Sequence, residues 1–350
     1  MDLRSADFWR GALAKAAASC NIPAIRIMEV CGTHTHAIAK NNLRELLPES
    51  VKLISGPGCP ICVSGVLFIE KIRTLLRKGV TVAMFGDLLR IPGNDGTLMG
   101  EKNLQLVYSP EDALAFAIKN PDKEVVFAAV GFAPTLSAAA ALMQGCCEAK
   151  VKNFSILSDF KEITPVLTAL TQSRQLSGLL LPGHVASVVG CNYFKNLHVP
   201  AVVAGFEPEN ILHSIKLILE AVTVSNNDFL CNNYPEAVRD NGNTFALKLI
   251  DEYFEPTVST WRGLGDIDFS GWKLKADHAG FDAEKRFDLS QVSGKENPAC
   301  RCGEVLTGAI EPQECPLFGK VCSPEKPAGA CMSSSEGACA AMFQYQGGRL

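Results

Sequence analysis

The chain has 350 residues, 47% of them apolar, 20% charged and only 7% aromatic, with a net charge of −4. That length calls for two or three domains with real cores, and the composition excludes a largely disordered chain. The balance of charge shows no basic footprint for nucleic acid or acidic membrane, and no apolar run approaches the roughly 18 residues of a membrane span. The first residues carry acids where a secretory leader needs a basic start and an apolar stretch, so the chain is expected to be cytoplasmic.

In chain order, residues 6–18 read as a helix, and 24–30 as a strand ending at Cys31. A second strand over 51–55 runs into Gly56-Pro57-Gly58-Cys59, and further strands over 80–85, 124–130, 179–181 and 200–204 each end in a glycine turn. Helices are expected over 65–77, 110–119 and 209–222. Strand, glycine turn and helix make the βα unit, which favours parallel sheets covered on both faces, with ligands at the carboxyl ends of the strands. The expectation is α/β, with two Rossmann-like parallel-sheet domains, over 19–119 and 120–240, forming a cleft. Beyond residue 240 the alternation fades into glycine, proline and cysteine. Residues 1–18 with 241–350 are expected to form a Cys-rich third domain that needs a staple such as a metal.

Fourteen cysteines are many for a reducing compartment, and six of them lie in the last 51 residues. Three groups carry chemistry. Cys31-Gly32-Thr33-His34-Thr35-His36 places a thiol at a strand end before a helix, where its pKa is expected to fall toward a thiolate, with two imidazoles in the same turn. The alternative is a buried cysteine with two surface histidines. Cys59-Pro60-Ile61-Cys62 is a redox dithiol or half of a zinc site, and no second pair follows nearby to complete the zinc. In the tail, Cys300, Cys302, Cys315, Cys322, Cys331 and Cys339 exclude hard cations and leave an iron–sulfur cluster with two spare thiols, or zinc. His184, Glu207 and the Gly86–Gly93 stretch are quieter: each could serve a site or simply pack and cap. No Walker loop or dinucleotide fingerprint is present.

Taken together, these motifs resemble those of a known family. Cys-Gly-Thr-His-Thr-His at 31–36, Gly-Pro-Gly-Cys-Pro-Ile-Cys at 56–62, Pro-Gly-His-Val at 182–185, Gly-Phe-Glu-Pro at 205–208 and Trp-Arg-Gly-Leu-Gly at 261–265 resemble the hydrogenase maturation factor HypD, as does the cysteine tail over 296–341. The resemblance covers essentially the whole chain. It implies an assembly scaffold with redox chemistry, rather than a turnover enzyme, for the Fe(CN)2CO unit of [NiFe]-hydrogenase. The implied partners are a HypC-type chaperone and a HypE-type cyanide donor. Cys31 would then hold the iron, His34 and His36 would shape its pocket, and Cys59 and Cys62 would face it as a redox pair. The tail would hold a [4Fe–4S] cluster through Cys300, Cys315, Cys322 and Cys339, leaving Cys302 and Cys331 as a dithiol. The first helix would pack on that tail. One departure stands out. Where the family reads Gly-Phe-Glu-Thr-Thr-Ala-Pro, this chain runs from Gly131-Phe132 straight into Ala133-Pro134, which removes a carboxylate and two hydroxyls from the cleft edge. The competing readings are a cluster-linked thiol reductase and a zinc-stapled interaction protein.

Overall fold

The computed structural model describes residues 3–173 and 175–345. The fold is α/β with two mainly parallel sheets and a Cys-rich region beside them, as the βα alternation implies. Strands β1 (Ile25–Glu29) and β2 (Val51–Ser55) lie in the first sheet, and β3 (Thr81–Met84), β4 (Leu104–Leu106), β5 (Val125–Gly131) and β6 (Phe154–Lys161) in the second. The chain then returns to the first sheet for β7 (Gly178–Pro182), β8 (Ala201–Ala204) and β9 (Leu230–Asn232). Finally the hairpin β10 (Phe254–Trp261) and β11 (Gly265–Leu274) adds antiparallel to β6. The strand orders are β2-β1-β7-β8-β9 and β10-β11-β6-β5-β3-β4.

The sheets therefore do not divide near residue 120. Ile27 pairs with Gly178, and Ala83 with Phe127, so each sheet takes strands from both expected domains. Periodicity marks a strand by its burial on two faces but carries no information about its partner, and here the partner lies far along the chain. β5 is buried along its whole length, which explains its unbroken apolar sequence.

The helices fill the faces in chain order. α1 (Leu3–Ala18) lies on the first sheet, not on the tail. Its Leu13 and Ala17 share a core with Ile211, Leu212, Ile215 and Leu219 of the later helix over 208–223. Ser5 donates to Glu209 at 2.9 Å, and the Cys20 thiol to the Leu219 carbonyl at 3.4 Å. An amphipathic helix docks where its apolar stripe finds a complementary face, and this stripe is aliphatic like that of its neighbour. α2 (Gly32–Lys40), α3 (Pro60–Val63) and α4 (Val66–Arg77) follow the first two strands, and α5 (Pro110–Lys119), α6 (Ala133–Glu148) and α7 (Ile163–Ser173) serve the second sheet. α8 (Gly183–Val189) and α9 (Pro208–Thr223) follow β7 and β8, and α10 (Thr244–Tyr253) leads into the hairpin. At Gly178 a Cβ would fall 2.3 Å from Ile218, so α9 lies directly on β7.

After α11 (Ala283–Arg286) the tail carries only short helices, α12 (Cys302–Leu306), α13 (Ala330–Ser333) and α14 (Ala338–Tyr345). It is pinned at four places. α13 rests on α3 and α14 on α2. Arg262, just after β10, donates to the Ser64 carbonyl at 2.7 Å and pairs with Glu296, which itself accepts the Val66 N–H at 2.8 Å. Gly263, at φ +78°, meets Gly303 so closely that neither could carry a side chain. Among the described residues no helix is long and apolar enough to cross a membrane.

Leu13 is completely buried between α1 and α9. Leu13→Ala should cost about 2–5 kcal/mol in a denaturant titration, the range for a cavity that the surroundings fill only in part.

Candidate functional site

The carboxyl ends of β1 and β2 bring the first two motifs together. The two strands are parallel neighbours with Glu29 beside Ser55, so the loops after them leave the sheet side by side. Cys31 caps α2 with extended backbone, and its carbonyl accepts the Thr35 N–H at 3.0 Å. The Gly56-Pro57-Gly58 turn lies against it. A Cβ on Gly58 would fall 2.2 Å from the Cys31 nitrogen, and the Gly58 carbonyl accepts the Gly32 N–H at 3.3 Å. Cys59 and Cys62, one turn further on, are joined as a disulfide, with the Cys62 N–H also directed at the Cys59 sulfur.

The charges around Cys31 differ from the expectation of a thiolate. Its thiol is pushed up to about 12, chiefly by burial and with help from the carboxylates of Glu336 and Glu29, against the N–H groups of His34 and Thr33. The helix terminus does act in the expected direction, but desolvation outweighs it. Cys31 is a neutral thiol in the free chain.

Glu29 lies beneath it, fully buried, accepting from the Thr35 hydroxyl at 2.6 Å. Burial lifts the Glu29 carboxyl to about 7, opposed by Thr35, Arg44, Ser55 and the Cys31 N–H. Above Cys31 sits Glu336, from the loop between α13 and α14. It accepts the Thr33 hydroxyl at 3.0 Å and covers Gly32, where a Cβ would lie 2.4 Å from the Glu336 side chain. Neither carboxylate belongs to a motif that the sequence singles out. Glu29 precedes Cys31 by two residues at a strand end, but Glu336 hides among serines and glycines and reaches the site only through the fold.

The two histidines of the first motif part company. His34 is fully buried, and its Nε2 bonds the Gly205 carbonyl at 2.9 Å. Burial holds it neutral, with its pKa lowered to about 4. His36 instead turns toward α14, where its Nε2 meets the Tyr345 hydroxyl at 3.2 Å. His184, at the start of α8, is exposed and stacks on Phe206 with ring centroids 4.0 Å apart, while His34 tilts against the same ring at 5.0 Å. Thus the Pro-Gly-His-Val and Gly-Phe-Glu-Pro motifs build one wall beside His34. Glu207 is exposed at the N-cap of α9. Gly86 opens a short 3-10 turn ending at Arg90. Phe132 alone joins β5 to α6 and packs near Trp261, ring centroids 6.1 Å apart.

The tail cysteines converge. All six line one small cavity closed by Val305, Phe318 and Met332, with Cys302 in contact with both Cys300 and Cys331, and Cys331 with Cys339. Gly329 cradles this space, since a Cβ there would fall 2.4 Å from the Cys300 sulfur. Among the described residues no three Cys, His, Asp or Glu side chains stand in an arrangement that would hold a metal ion as they are. The donor chemistry nonetheless fits a thiolate-ligated cluster: soft sulfur ligands only, in an apolar pocket. α13 links this cavity to the disulfide, with the Ser334 hydroxyl 3.3 Å from the Cys59 sulfur and the Ala330 carbonyl 4.0 Å from that of Cys62.

The chain that carries these sulfur sites matches a known family along almost its whole length. The HypD family profile, described as "Hydrogenase formation hypA family", matches residues 9–346. The chain belongs to the HypD family. It is 40% identical over 334 residues to the hydrogenase maturation factor HypD of Escherichia coli, covering 92% of this chain and 89% of that one. It is also 38% identical to the HypD of Cupriavidus necator over 337 residues, and 38% identical to that of Azotobacter vinelandii over 339, each alignment covering 91% of this chain and 89% of the relative. The HypD motifs read from the sequence therefore fall at the contacts described above: two at Cys31, two at His34 and Phe206, and Trp-Arg-Gly-Leu-Gly at the Gly263–Gly303 approach.

This packing makes stability depend on pH through Glu29. Its protonated form is favoured in the folded chain, so its contribution is complete below its ordinary pKa of 4.5 and is lost as pH rises to about 7. Unfolding stability should fall by about 3 kcal/mol over that window, at about 1.36 kcal/mol per unit, and Glu29→Gln should flatten the profile. Gly58→Ala would drive a methyl into the backbone of Cys31, which cannot yield. A loss of about 3 kcal/mol or more is expected, measured by urea unfolding.

Proposed function

We propose that the chain acts in hydrogenase maturation as a cytoplasmic scaffold on which the Fe(CN)2CO unit of [NiFe]-hydrogenase is assembled. It would work with a HypC-type chaperone and a HypE-type cyanide donor. The observation that carries this reading is the succession of three sulfur sites: Cys31, with Gly58 packed on its backbone; the Cys59–Cys62 pair that follows Gly58; and the six-cysteine cavity that α13 links to that pair.

Cys31 is the residue that receives the iron. Its burial penalises a bare thiolate, and a cation bound at the sulfur offsets that penalty, so deprotonation is coupled to loading of the cargo. His34, neutral and fixed by Gly205, lines the same buried region, whereas His36 secures α14 against α2. Release of cyanide from a thiocyanate takes two electrons. The Cys59/Cys62 dithiol yields two on closing to the disulfide: the thiocyanate carbon–sulfur bond breaks, cyanide and a thiolate leave, and two protons are released.

In the tail, Cys300, Cys315, Cys322 and Cys339 would hold a [4Fe–4S] cluster, with Cys302 and Cys331 as the neighbouring dithiol. The cluster would supply one-electron chemistry at this end of the line. The role of the chain's own residues is to keep that centre dry: Val305, Phe318 and Met332 exclude water, and α13 sets its separation from the disulfide.

A second reading is a cluster-linked thiol–disulfide oxidoreductase, favoured by the disulfide itself. In that case reduction of a protein disulfide would survive Cys31→Ala and be lost in Cys59→Ala. The scaffold reading is tested by infrared spectroscopy of the anaerobic chain purified with its HypC-type partner. Bands from iron-bound cyanide and carbon monoxide are expected, and they should vanish in Cys31→Ala. Iron and acid-labile sulfide without those bands would overturn the scaffold and leave the oxidoreductase. Zinc without sulfide would remove the cluster as well.

A further inference from the structure

The Gly205–Glu207 turn does more than contribute a wall. Its first carbonyl lies 2.9 Å from Nε2 of the His34 ring, and the other ring nitrogen, Nδ1, is buried with no hydrogen-bond partner among the described residues. A carbonyl can only accept, so Nε2 carries the proton in the neutral ring and Nδ1 is a bare lone pair. A fully buried acceptor without a donor is costly and rarely left in place without a use.

What holds the carbonyl in position is Asn210, one turn into α9. Its Oδ1 accepts the Gly205 N–H at 2.8 Å, and its own amide donates to the Asn233 carbonyl at 2.7 Å, anchoring it to the end of the first sheet. Gly205 has no slack: a Cβ there would lie 2.9 Å from the Tyr234 ring and 3.4 Å from Asn210 itself. Phe206 then fills the gap between His34 and His184. The peptide that meets His34 is thus clamped on one side by an amide and on the other by aromatic rings.

We propose that Asn210 is a positioning residue that, through the Gly205 carbonyl, fixes His34 in its Nε2–H tautomer and so leaves Nδ1 as a buried open lone pair, on a residue three positions along the chain from Cys31. Its use rests on the scaffold reading, which assigns cargo to Cys31, but the tautomer itself belongs to the free chain. Outer partners of this kind set ring orientation and tautomer at many metal-handling histidines.

The test is nitrogen NMR of the full chain labelled only at histidine, whose six imidazoles give two ring-nitrogen signals each, with the pair from His34 assigned by its loss in His34→Gln. The wild-type chain should show a protonated Nε2 and an unprotonated Nδ1 for His34. Asn210→Ala should blend the two tautomers at His34 while leaving the exposed His198 unchanged, and Asn210→Asp, which keeps the acceptor for Gly205, should restore the native pattern. A proton on Nδ1 in the wild-type chain would overturn the proposal, as would an unaltered His34 signal in folded Asn210→Ala. Should Asn210→Ala not fold, the wild-type tautomer and Asn210→Asp decide the matter, a shifted His34 signal in a folded Asp variant counting against it. Iron retained by the chain with its HypC-type partner should fall about tenfold in Asn210→Ala and recover in Asn210→Asp. No iron in any variant would count against the scaffold reading and leave the NMR result standing.

Discussion

The contact between Gly58 and the backbone of Cys31 is the constraint on which the rest of the molecule hangs. A built Cβ at residue 58 would fall within 2.5 Å of three backbone atoms at Val30 and Cys31, so the loop after β2 lies flush on the loop after β1. Only a glycine permits that approach. Once it is made, the thiol of Cys31 is shut away from water, the disulfide is delivered one turn later, and the tail is given a fixed surface to cover. The raised pKa values of Cys31 and Glu29 both follow from burial at this closure.

The tail shows how a segment without a core of its own is made rigid. Its helices are too short to be stable alone. It leans instead on structure already present: α14 on α2, α13 on α3, Arg262 with Glu296 across the Ser64 carbonyl, and Gly303 against Gly263. Each of these contacts also serves the site. α13 carries Cys331 and presents Ala330 to Cys62, and the next loop brings Ser334 to Cys59 and Glu336 to Cys31. The tail is therefore both lid and link, and the Trp-Arg-Gly-Leu-Gly motif lies at a junction, with Gly263 against the residue that follows Cys302.

The junction after β5 bears on the other wall. β5 passes into α6 through Phe132 alone, and the ring of Phe132 fills space near Trp261 instead of leaving a polar rim. The fold is kept because a helix can begin directly after a buried strand when its first residues are Ala and Pro, which need no N–H partners beyond the first turn. Polar groups near this edge are held by other elements: Lys161 is buried against Asp159, Ser259 and the Thr260 carbonyl.

By itself the sequence determined the fold class, the order of strands and helices, and the sulfur-bearing motifs, because these follow from local signals: apolar periodicity, glycine turns and the spacing of cysteines. Residues 31–36 and 56–62 stand out from their order alone, since they place thiols at strand ends beside glycines and histidines. The sheet partners, the seat of the first helix and the protonation of Cys31 were settled only by tertiary structure. β1 pairs with β7 across some 150 residues, and nothing in either strand names the other. The helix terminus at Cys31 argues for a thiolate until the depth of burial is known, and that depth is set by Gly58 and by Glu336, 305 residues away from Cys31 in the chain. Asn210 and Glu336 carry no motif of their own, because they act through a backbone carbonyl and a helix start that come within reach only when distant segments pack together.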